Sequence, residues 1–187
     1  MRGLHRNLPQ EERELKDQMG RVKPFDPTQP QGTLIKGLSR TAQLRPFTWF
    51  LVNVGRRIDP ILMRVSGGRL KTTITAPTVL LKHTGAKSGK RRETPLAYFT
   101  DDDEVVLIAS KGGADHHPAW YHNVHANPEV ELWSGGGGGR YRARQVEGDE
   151  RQRLWEMATT YYPGFDRYQR RADNRTIPVI VCSPLED

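Results

Sequence analysis

The sequence predicts a small barrel of the α+β class, mainly β, with about six strands and with helices packed outside it. Short runs rich in β-branched and aromatic residues recur between residues 78 and 183, and glycine or aspartate turns separate them. Few stretches show helical periodicity, which fits a barrel better than a doubly wound sheet. A chain of 187 residues, 35% of them hydrophobic, suffices for one compact domain.

The first part of the chain is expected to lie outside this domain. Residues 1–40 are polar, and three prolines (Pro24, Pro27 and Pro30) interrupt any long helix. We therefore expect a mobile N-terminal arm with one helical stretch, followed by a single barrel domain over residues 41–187.

Residues 45–65 have apolar side chains at helical spacing, and Asp59 and Pro60 divide them into two amphipathic helices. The apolar stripe is typical of a helix that packs on a core. Trp49 and the arginines beside the stripe leave open a second interpretation, peripheral contact with the inner face of the cell membrane.

The strand pattern predicts a meander in which Asp101–Asp103 forms one tight polar connection. Strands are predicted at Thr78–Thr84, Glu93–Thr100, Glu104–Ser110, Glu129–Trp133, Tyr141–Val146 and Ile177–Ser183. Helices are predicted at Pro118–Ala126 and Asp149–Thr160, with a shorter one at Phe165–Arg171. The five glycines Gly135–Gly139 indicate a flexible hairpin tip.

Composition limits the location and the partners. A net charge of +7 and a pI near 9.7 favour acidic ligands, nucleic acid or an anionic membrane. Cys182 is the only cysteine, which excludes an internal disulfide and fits a reducing, cytoplasmic setting. No apolar run reaches the roughly 20 residues that span a bilayer, and the start of the sequence lacks the apolar core of a signal peptide.

Two glycine turns carry cations suited to an anionic ligand. Residues 85–92 read GAKSGKRR, with four cations in six residues from Lys87 onward, and Lys111 precedes Gly112 and Gly113. The alternative to an anion site at the first turn is an ordinary solvent-exposed hairpin turn. No GxxxxGK[ST] register fits it, so a P-loop is excluded.

Four histidines follow the second turn: His116, His117, His122 and His125. Their spacing completes no recognised ligand set, so we predict no metal site; one of them is a candidate for a hydrogen bond to a cofactor. The sequence has no Ser/His/Asp order and no paired-carboxylate motif in a context that would indicate nucleophilic or acid–base catalysis.

These segments and the C-terminal stretch closely resemble the deazaflavin-dependent nitroreductase family. The motifs that carry the resemblance are T-G-x-K-[ST]-G-x-x-R, S-K-G-G-A-x-x-x-P-x-W-Y-x-N-x-x-A-N-P and R-T-I-P-V, within Ser66 to Pro184. Members of the family are split β-barrel proteins, similar to FMN-binding barrels, that use reduced coenzyme F420 as hydride donor. The resemblance implies the same fold and cofactor here.

The resemblance also implies a binding site. Cations of the first turn would hold the phosphate and oligoglutamate tail of the coenzyme, and the second turn and the following helix would line the tail or the ring. The cofactor-binding residues predicted in this way are Lys87, Ser88, Gly89, Arg92, Ser110, Lys111, Gly112, Ala119 and Trp120. Ala86 and Ala97 depart from the family, which often has Arg and Tyr at these positions.

The implied acceptor pocket consists of Tyr162, Phe165 and Tyr168, whose spacing of three core packing alone would also explain. Family members have tyrosine in place of Phe165, so one hydroxyl is missing. The predicted catalytic residues are Tyr168, Tyr162 and Ser110, as candidates to supply a proton after hydride transfer to a quinone, a nitroaromatic or an activated enone.

Two alternatives remain open at this level. One is a barrel of the same architecture that binds FMN, because both cofactors carry a phosphate. The other is a basic membrane-surface or nucleic-acid-binding module; against nucleic acid, the cations of residues 85–92 lie in one turn rather than along a face with interleaved aromatics. Oligomeric state is not predicted.

Overall fold

The computed structural model describes residues 21–27, 77–135 and 137–186. The amphipathic helices predicted at 45–65, and the predicted arm apart from residues 21–27, lie outside the described residues. In the described ranges no helix is long and apolar enough to cross a membrane.

The described strands form a closed antiparallel barrel, in the order β1-β2-β3-β6-β5-β4, in which β4 pairs back with β1. The barrel fold is therefore confirmed. The strands are β1 Thr78–Thr84, β2 Arg91–Asp101, β3 Glu104–Ile108, β4 Glu129–Ser134, β5 Gly137–Val146 and β6 Val179–Pro184.

The predicted meander is wrong after β3. β3 pairs with β6, as in the Val106↔Val181 partners, and β4 pairs with β1 through Leu81↔Leu132. The connection explains the difference, because the helix α1 (Ala119–Ala126) that follows β3 packs on β1 and β5. It carries the chain to the free edge of β1, and β6 then fills the gap between β3 and β5.

Alternation along the strands produces two apolar layers, because successive strand residues point to opposite faces. Val105 and Leu107 lie in the barrel interior, whereas Val106 between them faces an outer layer. The interior also contains Val79, Leu81, Tyr98, Leu132, Tyr141, Ile180 and Cys182, and the outer layer contains Phe99, Val146, Leu154, Trp155, Ala158, Ile177, Val179 and Val181.

Two further helices cover the outer layer, α2 (Gly148–Tyr161) and α3 (Gly164–Arg171). α2 buries Leu154, Trp155 and Ala158 against the strands. The acidic residues in its first turn stabilise the helix, because the unpaired backbone N–H groups at its N-terminus carry partial positive charge.

The glycine run is only partly a loop. Gly137–Gly139 belong to β5 and pair in register with Ser134, Trp133 and Leu132 of β4. The expected flexible tip is therefore wrong for these three residues, because backbone pairing to β4 holds them regardless of their missing side chains. Gly136 lies outside the described residues.

Residues 21–27 lie on the barrel. The Val22 amide donates to the Tyr141 hydroxyl at 3.1 Å, and the Tyr98 hydroxyl donates to the Lys23 carbonyl at 2.9 Å. Val22 is 4% exposed and joins the interior cluster. The two interior tyrosines thus use their hydroxyls to hold this segment.

Phe25 completes the attachment. Its amide donates to the Thr100 side-chain oxygen at 2.8 Å, and the Thr100 amide donates to the Phe25 carbonyl at 2.9 Å. Its ring meets Tyr161 edge-on with 5.2 Å between centroids. This differs from the mobile arm expected over residues 1–40, since two apolar side chains in a polar stretch suffice to dock the segment.

Candidate functional site

The first glycine turn connects β1 to β2 and is closed by its own backbone. The Gly85 amide donates to the Lys90 carbonyl at 2.9 Å, and the Gly89 amide donates to the Gly85 carbonyl at 2.8 Å. The Ser88 hydroxyl lies over Gly85 and accepts from the Lys90 amide at 3.4 Å. The fold of the turn therefore directs the side chains of residues 86–90 into solvent.

Cations of this turn differ in their partners. Arg91 pairs with Glu131 at 3.0 Å. Within the described part of the chain, Lys87, Lys90 and Arg92 have no carboxylate partner. Three positive charges at one exposed glycine turn leave a site for an anion with several oxygens.

Behind the turn lies a buried polar network that no local sequence motif predicts. The Ala86 amide donates to Asn123 Oδ1 at 2.9 Å, Asn123 Nδ2 lies 3.1 Å from His83 Nδ1, and His83 Nε2 lies 3.0 Å from Thr94 Oγ1. Burial, with the nearby charge of Arg92, lowers the pKa of His83 from 6.5 to about 4. His83 is therefore neutral at pH 7.

The second glycine turn is a short 3-10 helix, Lys111–Gly113. Lys111 itself has φ 49°, a left-handed conformation that is strained for a residue with a side chain. The Gly113 amide donates to the Ser110 carbonyl at 2.9 Å. A Cβ at Gly113 would lie 2.6 Å from the Tyr168 carbonyl oxygen, so the turn directly contacts α3.

Arg175 holds this second turn. Its guanidinium donates to the Ala114 carbonyl at 2.8 Å, to the Ser110 carbonyl at 2.9 Å and to His117 Nδ1 at 3.0 Å. Burial and then the charge of Arg175 lower the pKa of His117. The sequence signal for Arg175 was the R-T-I-P-V motif, which gave no role for the side chain.

Three of the four histidines, His117, His122 and His125, pack around the Tyr121 ring. His116 accepts a hydrogen bond from the Lys111 ammonium and donates one to Asp115 at 2.5 Å, and these bonds are exposed to solvent. Among the residues with described positions, no three His, Cys, Asp or Glu side chains come together as metal ligands.

The predicted acceptor residues form one aromatic cluster at the start of α3. Ring centroids are separated by 5.3 Å for Tyr162 and Phe165, 6.0 Å for Tyr162 and Tyr168, and 6.1 Å for Phe165 and Tyr168. The two tyrosine hydroxyls are hydrogen-bonded at 3.1 Å. Burial and this bond raise the pKa of Tyr162.

Gly164 lets the cluster form. A Cβ there would lie 2.2 Å from Tyr162 Cε1, so any other residue would displace the tyrosine ring. Phe165 and Tyr168 also pack against the outer layer of the core. The spacing of three thus reflects core packing and an aromatic surface at once.

The remaining predicted residues divide between surface and core. Ala119 is exposed at the start of α1, whereas Trp120 is 6% exposed and packs in the barrel interior. Ser110 is half-buried, and its hydroxyl does not cap the 3-10 helix. The structure therefore places Ser110, Lys111 and Gly112 in the turn whose Gly113 contacts the Tyr168 backbone. Lys87, Ser88 and Gly89 lie in the other turn, Arg92 lies at the start of β2 beside it, and Trp120 is buried in the core.

Comparison with known proteins identifies the family. Residues 55–184 match the family model described as F420H(2)-dependent quinone reductase. An F420H(2)-dependent quinone reductase of Mycobacterium tuberculosis, strain H37Rv, is 36% identical over 132 residues, which cover 68% of this chain and 88% of that protein.

Two solved structures are also similar in sequence and fold. One described as an F420-H2 dependent reductase is 42% identical, with a TM-score of 0.53, and the match covers 57% of this chain and 94% of that one. A second, described as a domain-swapped dimer, is 38% identical, with a TM-score of 0.56 and coverage of 68% and 94%.

These matches confirm the resemblance inferred from the three motifs. The descriptions of the family and of its members specify F420, the cofactor predicted from the sequence. They give the alternative cofactor FMN no support. The chain belongs to the F420H(2)-dependent quinone reductase family.

Proposed function

We propose that this protein binds reduced coenzyme F420 and reduces a quinone, with nitroaromatics and activated enones as further acceptors. The observation that carries the proposal is the contact between Gly113 and Tyr168. Arg171 adds a side-chain link, because it donates to the Gly112 carbonyl at 3.4 Å and its guanidinium lies 5.7 Å from the Tyr168 ring centroid. The strained cationic turn and the aromatic cluster are therefore neighbours, which supports a ligand with an anionic part and a planar part.

The cations fit the anionic part of the coenzyme. Lys87, Lys90 and Arg92 have no carboxylate partner among the described residues, and charge-assisted hydrogen bonds to phosphate and carboxylate oxygens would satisfy them. Ser88 adds a hydroxyl to that turn, and Gly89, whose amide is already bonded to the Gly85 carbonyl, leaves open space beside it. Lys111 and Gly112 would lie toward the ring.

The aromatic cluster fits the planar part and the acceptor. Tyr162, Phe165 and Tyr168 present ring faces and edges at one place, and such surfaces bind flat aromatic molecules by offset or edge contacts. When bound, the reduced deazaflavin supplies a hydride, and a quinone that takes up this hydride and one proton becomes a quinol.

The proton is the protein's part of the chemistry. The raised pKa of Tyr162 keeps its hydroxyl neutral and weakly acidic, so it acts as a hydrogen-bond partner that orients the Tyr168 hydroxyl. We assign the contact with the acceptor oxygen to Tyr168, with the proton replaced from solvent. Ser110 is the second candidate, because its carbonyl is fixed by Arg175 next to the same turn.

Direct titration tests the proposal. Purified protein is mixed with F420 and, separately, with FMN, and fluorescence is followed; steady-state oxidation of F420H2 with menadione then measures turnover. We expect saturable binding of F420 and acceptor-dependent oxidation. Tight binding of FMN without binding of F420 would overturn the assignment.

We further propose a cytoplasmic enzyme that contacts the inner face of the membrane through residues 45–65. The support is the sequence pattern alone, an apolar stripe with Trp49 and flanking arginines. Sedimentation with vesicles containing anionic lipid, compared with neutral vesicles, measures this contact. Equal recovery in the supernatant with both vesicle types would contradict it.

A further inference from the structure

We propose that His83 and Asn123 are positioning residues that fix the glycine turn of residues 85–90 on helix α1, so that its cations face an anionic ligand. This inference rests on the proposed function, because the ligand is the tail of the coenzyme. The two side chains lie behind the turn and take no part in the contacts assigned above to the coenzyme.

Hydrogen-bond chemistry gives the network one direction. The Ala86 amide can only donate, so the Asn123 atom 2.9 Å from it is the carbonyl oxygen. Asn123 Nδ2 then donates to His83 Nδ1 at 3.1 Å, which requires that nitrogen to be unprotonated. His83 Nε2 consequently carries the hydrogen and donates to Thr94 at 3.0 Å.

Burial makes this arrangement stiff. His83 is 5% exposed and Asn123 is 8% exposed, so a broken link would leave a polar group away from water. If the Asn123 amide flipped, its NH2 group would face the Ala86 N–H, and two donors would meet. The network therefore holds one orientation, as fully satisfied buried networks do.

The turn needs this anchor, because residues 86–90 are exposed. Its two internal backbone bonds close the loop on itself, between Gly85 and Lys90 and between Gly85 and Gly89. The Asn123 bond instead ties the loop to α1, and one turn later Asn127 Nδ2 reaches the Thr84 carbonyl at 3.5 Å. Turn and helix are thus held together as one unit.

A positioning role predicts an effect on affinity rather than on turnover. Asn123→Ala frees the turn, and the cations must then be ordered when the ligand binds. We expect the F420 dissociation constant to rise about tenfold, as for the loss of one buried hydrogen bond. Turnover with menadione at saturating F420H2 stays within about twofold of wild type, because the aromatic cluster is untouched.

A double-mutant cycle separates positioning from general damage. In a Lys87→Ala/Lys90→Ala background, which removes both cations of residues 85–90, there is little left to position, so adding Asn123→Ala should weaken binding less than about threefold. Tyr141→Phe is the matched control, because it removes the side-chain acceptor of another buried amide, that of Val22. It should leave the dissociation constant unchanged despite a lower melting temperature.

Amide hydrogen exchange of the ligand-free protein gives a readout independent of the coenzyme. The Ala86 amide should be protected in wild type and exchange at least about tenfold faster in Asn123→Ala and in His83→Ala. Equal exchange in wild type and Asn123→Ala would overturn the anchor.

The outcomes distinguish the two proposals. Two results would overturn the positioning role and leave the proposed function intact. In the first, Lys87→Ala and Arg92→Ala weaken F420 binding but Asn123→Ala does not. In the second, Asn123→Ala weakens binding as much in the double-variant background as in wild type. If wild-type protein does not bind F420, the proposed function is overturned, and the ligand-directed part of this inference with it.

Discussion

At the scale of single residues, the hydroxyl pair of Tyr162 and Tyr168 is the most direct test of the chemistry. Tyr168→Phe keeps the ring and deletes the hydroxyl, so we expect turnover to fall about three- to thirtyfold, as for a hydrogen bond made mainly in the transition state. F420 affinity should stay constant. Menadione-dependent oxidation of F420H2 and a coenzyme titration measure the two quantities.

Tyr121→Phe is the control, because it also deletes one hydroxyl, which donates to Gln145 at 2.7 Å away from the cluster. Its turnover should equal that of wild type. Unchanged turnover in both Tyr168→Phe and Tyr162→Phe would remove both hydroxyls from the mechanism and leave solvent as the proton source.

The cations of the first turn make a second prediction. Lys87→Ala and Arg92→Ala should each weaken F420 binding about 5- to 100-fold at low ionic strength, and the loss should shrink in high salt. Arg91→Ala should have a smaller effect, because Glu131 already neutralises Arg91. A loss for Arg91→Ala as large as for its two neighbours would show that total charge matters rather than the free cations.

Gly113 allows a paired test of close approach. Gly113 and Gly148 both have positive φ, 80° and 57°, but only Gly113 has a neighbour within reach of a Cβ. Gly148→Ala should cost about 1 kcal/mol of unfolding free energy, the price of the backbone conformation alone. Gly113→Ala should cost about 2 to 4 kcal/mol, since the turn must also move away from Tyr168. Urea denaturation of both variants checks the difference, and equal losses would contradict the contact.

At the scale of elements, the segment 21–27 is the main difference from expectation. A chain that begins at residue 28 should unfold about 3 to 5 kcal/mol more easily than one that begins at residue 21, because it loses the burial of Val22 and the hydrogen bonds to Tyr98, Tyr141 and Thr100. Thermal melting of the two truncated proteins measures this. Identical melting temperatures would show that the segment is dispensable.

Elements with a strong local signal could be predicted from the sequence, and those fixed by distant contacts could not. β1 has the predicted bounds, and α1 and α3 begin one residue from the predicted starts. The strand role of Gly137–Gly139 has no local signal, because pairing with β4 creates it. The order of strands after β3 likewise depends on where α1 packs.

The site shows the same division. The two turns and the aromatic spacing are visible in the sequence because each is a local motif. The contacts that hold the two turns in place are not visible in the sequence. His83, Asn123 and Arg175 make them with residues 37 to 65 positions away. Those contacts are the part of the site that the structure adds.

At the scale of the whole molecule, the buried His83 makes stability depend on pH. Its pKa is lowered from 6.5 to about 4 in the folded protein, so the unfolded chain binds the proton first. Stability should therefore be complete above pH 6.5 and decline as the pH falls toward 4, by about 2 to 3 kcal/mol at most. The lowered pKa of His117 adds a change of the same sign.

Urea denaturation at pH 7, 6, 5 and 4.5 measures the decline. His83→Gln should be less stable at pH 7 but should show a smaller decline between these values. An unchanged profile in His83→Gln would contradict the assignment of the decline to His83. Asp101, Glu129 and Glu150 have lowered pKa values, so their contribution to stability is lost only at still lower pH.

The position of β6 between β3 and β5 also constrains biosynthesis. Ser183 bonds to Glu104, 79 positions earlier, and both neighbours of β6 precede it in the chain. While a ribosome is still making residues 147–178, β3 and β5 each have an open edge that can pair with another nascent chain. The barrel can therefore close only after β6 emerges from the exit tunnel, and we expect folding to be slow because the strands that close it are far apart in the sequence.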